Sequence, residues 1–196
     1  MNIYVKHIKT LLLLVGLSSI IVWFYPMDTY KDFWSISWYI LIAVMLMRPL
    51  RDIFPKCRLF SFLLKFRREM WILVWIFWVA HVLWFTKMME YSVLGLFQDE
   101  YVWKASGMLF WWMLAFLVSL PLLITSNGIS TKLLWKHWKT LQRLSYAMFV
   151  LVAIHIFMIE KDVWPLIPVV LWIILFVIAY FKNKNSIQNW YFLENF

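Results

Sequence analysis

The stretch WVAHVLWF, residues 78–85, sets a histidine among tryptophan, valine, leucine and phenylalanine, and LVAIHIFM, residues 151–158, does so again. Whether such runs lie in a soluble core or in lipid is decided by the composition around them. Of the 196 residues, 64% are hydrophobic, 21% aromatic and only 15% charged, with fifteen tryptophans and four glycines. A chain of this length with so little polar surface cannot cover itself in water. The histidine runs therefore belong to membrane-spanning segments. Lipid offers no partner to a free backbone amide, so these segments must be helices. No alternating barrel pattern is present.

Apolar runs near the ~20 residues that cross a ~30 Å hydrocarbon core occur six times. They lie at about 8–25, 33–47, 70–85, 106–125, 141–159 and 164–181. The expectation is an all-α membrane protein, a six-transmembrane-helix bundle forming a single domain over 1–196. The first run is too long for a signal peptide, and SSIIVWFY offers no small-residue cleavage site, so it reads as a retained helix. All but four of the nineteen lysines and arginines fall at the amino terminus, between helices 2 and 3, between helices 4 and 5, or in the carboxyl tail. The exceptions are Lys31, Lys87, Lys104 and Lys161. By the positive-inside rule both termini are expected in the cytoplasm. The net charge of +9 is thus a topology signal, reinforced by anionic inner-leaflet lipid, and calls for no nucleic acid.

Other chemistries find little support. No G-x-G-x-x-G or Walker-type loop occurs, so no nucleotide-binding module is recognisable. The single cysteine, Cys57, cannot form an internal disulfide or run a thiol relay alone. The basic, aromatic stretches 48–68 and 132–139 read as interfacial segments lying against lipid headgroups. His7 and His137 fall in such basic surroundings and read as surface residues.

His81 and His155 remain. An ionisable side chain at membrane depth is costly and is a functional hypothesis by default. The plainer alternative for each is a packed neutral imidazole or an interhelical hydrogen bond. Both helices run from inside to outside, His81 lies eleven residues after Met70, and His155 lies four before Ile159. At ~1.5 Å per residue both imidazoles fall in the outer third of the bilayer at nearly one height. Two histidines so placed can grip a planar ligand between them, as axial imidazoles grip haem iron in helical bundles. Phe77, Trp78, Trp84 and Phe85 beside His81, and Leu151, Val152, Met158 and Ile159 beside His155, would keep such a pocket dry. A protein-only zinc site is disfavoured because no third strong ligand lies at that depth.

Further residues carry a resemblance. In order these are Pro49-Leu50-Arg51 closing helix 2, Arg67-Arg68 opening helix 3, and His81. After helix 4 come Leu123-Ile124-Thr125-Ser126, then Trp138-x-x-Leu141-x-Arg143-Leu144-x-Tyr146, and His155. Over about residues 48–182 the chain resembles the ferric reductase-like transmembrane family. Within it, the likeness is to the haem-binding membrane subunits of bacterial methionine sulfoxide reductase systems. Gln142 stands where the family carries a further histidine, and Trp71 where it carries glycine. The resemblance implies a b-type haem, held here by His81 and His155, in a multi-pass protein of the bacterial inner membrane. It implies electron flow from a cytoplasmic flavin reductase, or from quinol, to a periplasmic molybdenum-dependent methionine sulfoxide reductase subunit. It also allows a bound FMN. Arg67, Arg68 and Arg143 are then candidates for flavin phosphate or haem propionate, although topology alone would account for them. Two rival readings stay open. One is a haem protein that reduces ferric iron or oxygen directly at the outer face. The other is a haem-free scaffold or transporter.

Overall fold

The computed structural model describes residues 3–21, 30–90 and 92–193, and all regular structure among them is helical. The long helices are α1 (Ile3–Ile21), α2 (Tyr30–Ile53), α4 (Arg67–Met88), α6 (Met108–Ile124), α9 (Leu144–Glu160) and α10 (Ile167–Leu193). Between them lie the shorter α3 (Arg58–Leu63), α5 (Val93–Gln98), α7 (Gly128–Leu134) and α8 (Lys136–Gln142), with 3-10 turns at Leu64–Phe66, Glu100–Trp103 and Trp164–Leu166.

Each of the six apolar runs contains a helix. Among the described residues, four stretches are long and apolar enough to cross a membrane: Lys31–Ile53, Arg58–Met88, His137–Glu160 and Trp164–Asn183. α6 alone has 17 residues, about 25 Å at 1.5 Å per residue, short of a ~30 Å core. It reaches span length only together with α7, from which it is bent by 89°. The first expected span forms α1 as far as Ile21, and residues 22–25 of it lie outside the described residues. Among the described residues the chain is therefore all-helical, with four, or up to five, candidate membrane spans.

The packing follows from which faces carry bulk. α2 packs on α4 and α6 on α9, while α1 lies against α4 and α10 against α2. Aromatic side chains fill the centre: Trp38, fully buried on α2, stacks on Phe149 of α9 at 5.3 Å between ring centroids. Ser37 Oγ donates to the Val74 carbonyl at 2.9 Å, tying α2 to α4 through a buried backbone oxygen. α1 approaches α4 so closely that a Cβ on Gly16 would stand 2.5 Å from Leu73 Cδ2, the close approach that small residues permit between membrane helices. On α10 the outward face is apolar, with Ile173, Ile174 and Val177 all exposed. In water such a face would be a liability, whereas lipid accepts it.

Candidate functional site: a capped cavity holding two histidines

His81 on α4 and His155 on α9 line the same cavity, of about 450 Å³, within the size range of small-molecule sites. The space exists because α2 pairs with α4 and α6 with α9, leaving the two histidine-bearing helices without close packing on each other. Trp38, Trp78, Trp112 and Met148 form its apolar walls. Leu96 of α5 and Val102 of the following 3-10 turn close it as a cap, both buried. Local chemistry builds that cap: Ser92 Oγ accepts from Gly95 N at 2.8 Å to start α5, and Asp99 Oδ1 accepts from Tyr101 N at 2.9 Å to start the turn. At the edge of the cavity stand the exposed Lys31 and Glu160.

The tautomer of His155 follows from its partner. Its Nδ1 lies 2.8 Å from the Met108 carbonyl oxygen. A carbonyl only accepts, so Nδ1 carries the proton, and in the neutral imidazole Nε2 keeps its lone pair. A backbone carbonyl holding Nδ1–H is the arrangement that orients a metal-ligating imidazole. His81 is half-buried and near enough for the two imidazoles to interact electrostatically.

Among the described residues no group of three or more His, Cys, Asp or Glu side chains could hold a metal ion. Two imidazoles facing one apolar cavity suit instead a metal whose other positions are filled by its own macrocycle. On donor chemistry and on the fixed tautomer of His155, the residues present fit a haem.

The arginines are placed elsewhere. Arg67 and Arg68 open α4, about 21 and 20 Å along the helix from His81, and Arg143 lies about 18 Å along the chain from His155. None of the three lines the cavity. Arg67 is half-buried near Tyr146 and Arg48, while Arg68 and Arg143 are exposed. The three arginines expected to contact flavin phosphate or haem propionate therefore stand apart from the cavity that holds the histidines. Gln142 is half-buried, and its Nε2 donates to Thr125 Oγ1 at 3.2 Å. His7 and His137 are exposed.

Four contributors to the site were not read from the sequence: Trp38, Lys31, the Met108 carbonyl and the cap. They come from three separate parts of the chain, Lys31 and Trp38 from α2, and only the serine and aspartate that start the cap elements left a local signal. No family model, curated protein or solved structure matches the chain. Fold and site define a class by themselves: a helical membrane protein with a capped, apolar cavity that presents two imidazoles from separate helices.

Proposed function

We propose that the chain is the b-type haem subunit of a membrane electron-transfer system, a six-span bundle of the bacterial inner membrane with both termini in the cytoplasm. The observation that carries this reading is that His81 and His155 line one largely apolar cavity, with the Nδ1–H of His155 held by the Met108 carbonyl. A haem supplies one-electron storage at such a site. The chain's own part is to offer two neutral imidazole nitrogens and to exclude water with Trp38, Trp78 and Trp112. Leu96 and Val102 cover one side of the cavity.

Electrons enter from the inner side, where Arg67, Arg68 and Arg143 offer cationic contacts to a flavin phosphate, FMN being the cofactor that the resemblance allows. The donor is a cytoplasmic flavin reductase or quinol. The acceptor is a periplasmic methionine sulfoxide reductase subunit, as in the MsrQ-type proteins that the chain resembles. The deciding experiment is spectroscopic. Protein purified after haem-replete expression should show a Soret band and a dithionite-induced α-band, and His81→Ala and His155→Ala should each abolish haem retention. A colourless wild type would favour a haem-free scaffold, and an intact spectrum in either variant would remove that histidine from the ligand set.

A further inference from the structure

The haem reading leaves one part of the ligand without a partner. A b-type haem carries two carboxylates on one edge and apolar substituents on the others. Ionised carboxylates are costly at hydrocarbon depth unless they are paired with a cation or reach water. Arg67, Arg68 and Arg143 lie about 20 Å away along the chain, and among the described residues Lys31 is the one lysine or arginine that lines the cavity.

We propose that Lys31 receives the carboxylate edge of the bound haem, fixing the macrocycle with its carboxylates at the cavity's edge and its apolar side among Trp38, Trp78 and Met148. This rests on the haem reading above. Position supports it: Lys31 is exposed in the first turn of α2, seven residues outward of the fully buried Trp38. Its four-carbon stem can lie along apolar wall while the ammonium stays near water. Glu160, a carboxylate that also lines the cavity, accepts a hydrogen bond from Trp164 Nε1 across the α9–α10 turn. One cation at the edge and apolar walls inward give a haem a single favourable orientation.

The test compares haem b with its dimethyl ester, in which the carboxylates are neutral, titrated into haem-depleted full-length protein in nanodiscs. Lys31→Ala should weaken haem b binding about three- to tenfold, as loss of one charge-assisted contact at a half-wet site does. It should leave binding of the ester unchanged, and Lys31→Arg should restore haem b binding. Loss of the nearby positive charge should also lower the midpoint potential of bound haem b, because that charge favours the reduced state. Equal weakening for both haems, or none for haem b, would overturn the assignment while leaving the haem reading intact. Failure of the wild type to bind either haem would instead sink the haem reading itself.

Discussion

Replacing Gln142 with histidine would put an imidazole thirteen residues inward of His155, about 20 Å along the helix. In the wild type that amide is tied to Thr125, whose carbonyl also accepts from Trp138 Nε1 at 3.0 Å. Thirteen residues inward of His81 stands Arg68, exposed and 3.6 Å from Glu69, and a guanidinium stays protonated. The inner level therefore lacks a pair of nitrogen ligands. A pyridine haemochrome assay against protein concentration should give one haem per chain, and Gln142→His should leave it at one. Two per chain would overturn the ligand set. The two histidines were legible because ionisable groups are conspicuous in apolar runs. Lys31 and the Met108 carbonyl were not, since a lysine at a helix end and a backbone oxygen look ordinary until the fold sets them beside the site.

At the scale of elements, α1 is held to α4 by an ion pair that no local pattern announces. Lys9 Nζ lies 2.9 Å from Glu69 Oε1, and Glu69 is only 2% exposed. Removing one member of a charged hydrogen bond costs about 1.5–3 kcal/mol. Glu69→Gln should accordingly lower the unfolding midpoint of the protein in detergent. A double-mutant cycle with Lys9→Met should return a coupling of at least about 0.5 kcal/mol, and zero coupling would show that α1 is held by packing alone. Sixty residues separate the partners, so the sequence offered an acid beside Arg68 and nothing to match it with. Helix ends were also misjudged, for a related reason. Hydropathy reports membrane depth, not hydrogen bonding, so Pro49-Leu50-Arg51 read as a helix end although α2 continues through it to Ile53. Likewise the stretch 48–68 read as one interfacial segment between spans, whereas within it Arg58–Leu63 is a helix that leads through a 3-10 turn into α4. α7, started by Asn127 Oδ1 accepting from Ser130 N at 2.8 Å, went unread as a separate helix.

For the whole molecule, the asymmetry of basic residues predicts the topology more directly than any single helix does. Cys57, half-buried between α2 and α3, should resist a membrane-impermeant thiol reagent on intact cells and react once the membrane is opened. Labelling of intact cells would invert the bundle and place the cavity near the inner face. The all-helical class was legible because composition and run length depend on the solvent alone. The shape of the fourth run was not, because α6 is short and its 89° bend into α7 is a matter of three-dimensional packing. The tryptophans around the cavity have an optical consequence. Trp38, Trp78 and Trp112 border the space assigned to the ligand, and indole emission overlaps the near-ultraviolet absorption of a porphyrin. A bound haem would drain their excited states by resonance energy transfer, so haem-depleted protein should be brightly fluorescent and darken in proportion to loading. Emission that stays constant as haem is added would place the pigment elsewhere.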